Sequence, residues 1–336
     1  MADVWTAREL PVALSVFNVV PFCGPAAGQL VSSYLVPLTK SWPWTQWPTL
    51  FLAVVTYATI LPMPETYKPA IKSAPDILDE KGSKRLGEHI RTFLAAVPFV
   101  RPLHMLVHEP VVCLFSLYIA FNFTAIYCFS ASIPFVFKTQ YGFSPQSQGL
   151  VFTGLMIGYL ISGPTMIVPY TIQMRRNHGI PPTNTPIPDA EESPETKSQP
   201  ETLLWPALLG AVALPVSFFW FGWSAEAKVH WACPIAALAL YSWGNNLLYN
   251  AAQLYLLETY GSRYGASATA ANNLLRYIWA AILPLFMTTM YSNLGTGWAS
   301  SLLGFILVLF MPIPWALRYF GPRLRAKSVY LKREGI

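Results

Sequence analysis

Eight stretches of this chain are long and apolar enough to cross a lipid bilayer, and nothing else in the sequence restricts its fold so tightly. A helix needs about 20 mostly apolar residues to span the hydrocarbon core. Residues 11–36, 47–63, 111–136, 148–170, 203–223, 231–257, 267–291 and 297–317 meet that requirement. Composition agrees with them: 54% of the 336 residues are apolar and 11% are charged, against about 25% charged in an ordinary soluble domain. The mean hydropathy is +0.40. These values exclude a cytosolic enzyme, a disordered chain and a disulfide-stapled secreted module. The expected fold class is all-α, a polytopic membrane bundle of about eight transmembrane helices.

The later spans follow one another by short connections and are expected to pack as antiparallel neighbours. Two hydrophilic stretches interrupt the series. Residues 64–110 carry Lys68, Lys72, Lys81, Lys84, Arg85, Arg91 and Arg101, and residues 171–202 are rich in Pro, Thr, Glu and Ser. The second is too polar to fold by itself. An even number of spans puts both termini on one side. Of the 22 Lys and Arg, only Lys40, Lys138 and Lys228 fall in the loops after spans one, three and five. The other 19 lie on or beside the opposite side, which the positive-inside rule makes cytoplasmic. The expected organisation is a two-helix segment (1–63), a cytoplasmic central loop (64–110), a six-helix bundle (111–317) interrupted by a disordered cytoplasmic loop (171–202), and a basic cytoplasmic tail (318–336). Net charge of +6 is therefore read as juxtamembrane charge facing lipid, not as a nucleic-acid surface.

Span one contains Gly24-Pro25-Ala26-Ala27-Gly28. A proline inside a helix removes a hydrogen bond and kinks the axis, and small residues let a second helix approach closely. Following an Asp-Val-Trp…Arg segment, Gly24, Pro25 and Gly28 resemble the antiporter motif of drug:proton exporters of the major facilitator superfamily. The resemblance extends along the chain through Trp42-Pro43-Trp44, Pro62-Met63-Pro64-Glu65, Glu109-Pro110, Trp220-Phe221-Gly222-Trp223, Leu275-Arg276, Asn293-Leu294-Gly295 and Trp298-Ala299-Ser300-Ser301. The branch it is most similar to is the fungal multidrug and polyamine type. Against that pattern, a second proline and a glycine pair are replaced by Gln29 and Ser32-Ser33, and an arginine by Pro43.

The resemblance implies a twelve-helix fold of two six-helix halves, of which the eight spans correspond to helices five to twelve, the first four being absent. It also implies efflux of small organic molecules, drugs or secondary metabolites, by proton-coupled alternating access, with no cofactor. The alternative expectation is a truncated, non-transporting remnant. The implied membrane is the plasma membrane, with the vacuolar membrane as the alternative.

Span six holds Asn245, Asn246, Asn250 and Gln253, and positions 246, 250 and 253 share one helix face. Amides are costly in hydrocarbon, so this face is expected to look into the bundle. Two readings stay open: glue between helices, or one wall of a solute site with Tyr118, Asn122 and Tyr127 of span three opposite. Aromatic rings there would offer stacking or cation–π contacts to a planar or cationic solute. Among charged residues, Glu258 ends span six and Arg276 lies inside span seven, so both are functional candidates. Pairing of Glu258 with Arg263 or Arg276 is the structural alternative.

His104 and His108 are four residues apart but have no third ligand, so no metal site is expected. Nucleophile elbows, phosphate loops and paired catalytic carboxylates are absent from the sequence. The four cysteines, Cys23, Cys113, Cys128 and Cys233, show no pairing pattern. An enzyme is not expected. The expected partners are a small-molecule solute, protons and the bilayer.

Overall fold

The computed structural model describes residues 10–63, 100–178 and 203–327. Their regular structure is all helical: α1 (Leu10–Thr39), a 3-10 turn (Trp42–Thr45), α2 (Trp47–Ile60), α3 (Val100–His108), α4 (Pro110–Tyr141), α5 (Pro145–His178), α6 (Trp205–Glu226), α7 (Ala232–Ile282), α8 (Pro284–Phe310) and α9 (Pro312–Lys327). Proline sets many of these boundaries. The first or second residues of α2, α4, α5, α6, α8 and α9 are Pro48, Pro110, Pro145, Pro206, Pro284 and Pro312, positions where the missing N–H costs nothing and the fixed φ suits the helix. Helix α4 stops at Gly142, whose φ of 65° lets its N–H return to the Lys138 carbonyl while that of Phe143 returns to Phe137.

Helix α7 needs separate treatment. Helical backbone runs over its 51 residues, and a straight helix of that length would extend about 77 Å. It cannot be straight. The Arg276 guanidinium lies 5.2 Å from the ring centre of Tyr249, a pair that a straight helix would hold about 40 Å apart. A methyl group on Gly265 would lie 3.4 Å from the Leu257 side chain. The element therefore doubles back between Leu257 and Gly265 and forms two antiparallel arms, which match spans six and seven. Helix α8 reverses too. Gly295, at φ 78° and ψ 166°, interrupts it, and the Tyr291 and Ser300 hydroxyls on either side meet at 2.9 Å.

Among the described residues, five helical stretches are long and apolar enough to cross a membrane: Val12–Thr39, Val112–Tyr141, Pro145–Ile167, Trp205–Glu226 and Pro284–Arg323. The folded-back α7 supplies spans six and seven, the latter finished by the first half of α8. Span two differs from expectation. Its helix has 14 residues, about 21 Å long, and all but the half-buried Pro48 are exposed. Helix also reaches into the stretches read as hydrophilic connections, as α3, as the end of α5 to His178 and as α9 to Lys327. Residues 64–99, 179–202 and 328–336 lie outside the described residues.

The core lies where α4, α6, the first arm of α7 and α8 meet. Phe129 stacks on Phe218 at 4.7 Å and meets Tyr241 edge-on at 4.9 Å. Glycines mark the close crossings: a side chain at Gly158 would strike Ser242 and the Ala239 carbonyl of α7, and one at Gly222 the Ser300 side chain of α8. Small residues let backbones approach where lipid provides no hydrophobic drive. The outer faces remain apolar. On α6, Leu209, Val212, Val216 and Trp220 are exposed at helical spacing, while Leu214, Phe218 and Phe221 behind them are fully buried. A helix apolar on all sides is a helix whose solvent is lipid.

At the α8 reversal, one Glu226 carboxylate oxygen accepts the backbone N–H groups of Thr296 (2.9 Å) and Gly297 (3.1 Å). These are the free donors of the helix restarting after Gly295, and a carboxylate there also opposes the positive end of the helix dipole. Glu226→Ala is expected to destabilise the protein by about 1–2 kcal/mol, read as a lower Tm in detergent. An unchanged Tm would contradict this role.

Candidate functional site

The amides of α7 point two ways. Asn246 (1% exposed) donates to the Ser162 hydroxyl of α5 at 2.6 Å. Asn250 donates to the Asn246 carbonyl and side-chain oxygens, both at 2.9 Å. The Asn18 amide of α1 then donates to Asn250 at 2.7 Å and to Gln253 at 3.0 Å. A hydrogen-bonded ladder thus joins α5, α7 and α1, and its members satisfy each other where water is excluded. Asn245 instead faces α4. Its amide donates to the Asn122 carbonyl (3.1 Å), the Asn122 side chain (3.2 Å) and the Tyr241 hydroxyl (3.0 Å), while Tyr241 donates to the Asn122 carbonyl at 2.7 Å.

Between α1, α4 and α7 runs a narrow cleft lined by Phe22, Ile119, Asn122, Phe123, Asn245, Leu248 and Tyr249. Phe22 meets Tyr249 at 4.9 Å and Phe123 at 6.0 Å. Arg276 stands on the outer side of these rings. Its guanidinium carbon lies 4.3 Å from the Phe123 centre, 4.9 Å from Tyr277 and 5.2 Å from Tyr249. One terminal nitrogen donates to the Tyr277 hydroxyl at 3.1 Å, and the buried Nε has no acceptor among the described residues. Arg276 is 6% exposed.

The structure thus separates residues that helical spacing grouped. Asn246, Asn250 and Gln253 share the ladder; Asn122 meets Asn245, not that face. Tyr127 is half-buried and packs on Phe123 at 5.3 Å, beside Arg276. Tyr118 faces elsewhere, fully buried 5.9 Å from Phe310, and its hydroxyl has no partner. Glu258 is exposed and does not pair with Arg276, whose neighbours are rings; the Arg263 side chain lies outside the described ones. Gly24 and Gly28 meet no atom within 4 Å of where a side chain would begin. The close approach on α1 falls instead at Ser33, against Gly149 of α5.

Residues that sequence reasoning passed over are Asn18, Ser162 and Glu109. A lone amide in the apolar run of α1 was the available signal for Asn18. Glu109 is buried (1% exposed) beside Pro110 and accepts a hydrogen bond from Tyr260 at 3.1 Å. His104 and His108 stack at 3.9 Å, and among the described residues no group of three His, Cys, Asp or Glu is arranged to hold a metal.

A double-mutant cycle with Asn18→Ala and Asn250→Ala tests the ladder. Intramembrane hydrogen bonds couple by about 0.6 kcal/mol on average and by less than about 2. Unfolding in mixed micelles is expected to give a coupling in that range, and strictly additive losses would contradict the bond.

The sequence model of the Major Facilitator Superfamily matches residues 1–284. The MFS transporter prlG of a fungal species (strain NRRL 50135) is 34% identical over 338 residues, covering 97% of this chain and 68% of the relative. Polyamine transporter 4 of Saccharomyces cerevisiae is 31% identical across 98% of this chain and 52% of the relative. Efflux pump FUB11 of Gibberella fujikuroi is 32% identical across 98% of this chain and 56% of the relative. The chain spans between about half and two thirds of the length of these relatives. With a family match over most of its length and an all-helical bundle of apolar helices, the chain belongs to the Major Facilitator Superfamily.

Proposed function

We propose that this chain works in the efflux of small organic molecules, of the drug and secondary-metabolite kind, by proton-coupled alternating access. Its eight spans are read as helices five to twelve of a twelve-helix plan. Both ends and the two long hydrophilic stretches are placed on the cytoplasmic side of the plasma membrane, following the distribution of Lys and Arg. The printed names of the relatives, which include efflux pumps and a polyamine transporter, support this reading.

The observation that carries it is the buried polar cluster around α7. Amides and an arginine are expensive inside apolar helices, so their presence there marks a solute or ion path. In this reading the cleft between Phe22, Phe123 and Tyr249 widens when the helices rock. Asn122 and Asn245 then offer hydrogen bonds to the solute, and the rings offer flat apolar contact. Glu109 is assigned as the proton carrier, because it is a buried carboxylate joined to Tyr260 and a proton exchanged there changes the charge held between α4 and α7.

A second reading, a membrane protein that binds solutes without moving them, is favoured by one observation. Among the described residues, no helix covers Gly24, Gly28 or any face of α2, so nothing described opposes the bundle as a rocking partner.

Flux separates the two. Purified protein in liposomes, acid inside, is expected to accumulate at least one member of a panel of anionic, neutral and cationic fluorescent solutes, and a protonophore is expected to abolish the accumulation. Glu109→Gln is expected to leave downhill flux but remove its acceleration by the pH gradient. No movement of any solute would establish the binding-only reading, and an unaltered gradient dependence in Glu109→Gln would remove Glu109 from the proton path.

A further inference from the structure

We propose that Arg276 anchors a site for organic anions, with the negative group of the solute on the guanidinium and a planar unsaturated body against Phe123 and Tyr249. The site lies within the cluster assigned to transport above, and the inference deepens that reading by naming the chemical class of the solute.

The argument begins with an uncompensated charge. Arginine is always protonated in proteins, and a buried cation is stable only when it is paired or fully hydrogen-bonded. Arg276 is 94% buried, as its 6% exposure gives, yet no carboxylate among the described residues pairs with it. Among the described residues its hydrogen bond goes to a neutral phenol, that of Tyr277. The remaining compensation comes from the faces of Phe123, Tyr249 and Tyr277, which attract a cation weakly compared with an anion. The Nε donor is buried without an acceptor.

Geometry then selects the ligand. A guanidinium offers its donors in a planar fork that fits the two oxygens of a carboxylate, and the Nε arm of the Arg276 fork has no acceptor among the described residues. Phe123 and Tyr249 touch Arg276 on one side and line the cleft on the other, so a solute admitted beside these rings when the helices part, as the transport reading requires, meets the charge and the rings together. The same arrangement works against cations. The ring faces that would receive an ammonium group already hold the protein's own positive charge, and no neighbouring carboxylate among the described residues offsets it. The lower dielectric of the interior strengthens both effects.

Three naphthalene probes of one shape test this by calorimetric titration of the full chain in maltoside micelles: 2-naphthoate, neutral 2-naphthamide and 2-naphthylmethylammonium. Wild-type protein is expected to bind the carboxylate about tenfold or more tighter than the amide, and the ammonium weakest. Arg276→Gln is expected to erase the carboxylate's advantage over the amide, with an unchanged circular dichroism spectrum and Tm reporting a folded variant. Arg276→Lys is expected to keep part of the preference. If Arg276→Gln fails to fold, the wild-type order and Arg276→Lys decide the matter. Ammonium binding as tight as carboxylate binding, absence of binding by all three probes, or a full carboxylate preference in Arg276→Gln would each overturn the proposal. Its failure is distinct from failure of the efflux reading. Anion-selective binding with no flux removes only efflux, and flux of a cation indifferent to Arg276→Gln removes only this site.

Discussion

The contact between Arg276 and Tyr249 is the constraint on which the rest depends. Both residues belong to one run of helical backbone, and they can meet only because that run folds back between Leu257 and Gly265. The fold-back divides α7 into two arms, each with its own neighbours. The first arm packs on α4, α5 and α6. The second brings a guanidinium onto the rings that wall the cleft. Without the reversal, α7 would be far longer than a bilayer is thick, and the arginine would not meet Tyr249.

Hydrocarbon makes the polar groups inside such a bundle interdependent. An unsatisfied amide there costs free energy comparable to a lost hydrogen bond, so Asn18, Asn246 and Asn250 find one another across three helices. The ladder fixes how α1 sits against α5 and α7, while Asn245 and Tyr241 fix α4 against α7. Arg276 differs in kind, because neutral rings and a phenol do not cancel its charge. The polar interior therefore has a satisfied part that holds helices together and an unsatisfied part that invites a partner. That division separates the two parts in space: the ladder joins α1, α5 and the first arm of α7, and the uncompensated charge lies on the second arm.

Much of the fold was legible in the sequence because a bilayer imposes one simple demand on each span. The windows of apolar residues gave the helices, and proline and glycine gave their ends. Span two was less legible, since hydropathy does not show that α2 is short of a full crossing and bare on every side. The site was legible only in part. Helical spacing put Asn246, Asn250 and Gln253 on one face, and the structure joins them, but through Asn18, a residue more than 200 positions away. Spacing along one helix carries no information about which residue of another helix completes a bond. For the same reason spacing does not show that Asn122 meets Asn245 and not the face of Asn246 and Asn250, or that Arg276 faces rings and not Glu258. The Gly24-Pro25-Gly28 motif was visible as sequence, yet the close crossing on α1 falls at Ser33, where Gly149 of α5 supplies the missing volume.

The most direct test of this account measures the fold-back itself, because the site exists only if the two arms of α7 are antiparallel. Spin labels at Ala236 and Ile282, both exposed and near the two ends of α7, would be about 69 Å apart along a straight helix. Two antiparallel arms bring them to the same end of the bundle. Pulsed electron–electron resonance on the protein in lipid nanodiscs is expected to give a distance below about 30 Å, the scale of two neighbouring helices of slightly unequal length. A distance near about 69 Å would contradict the reversal, and with it the meeting of Arg276 and Tyr249.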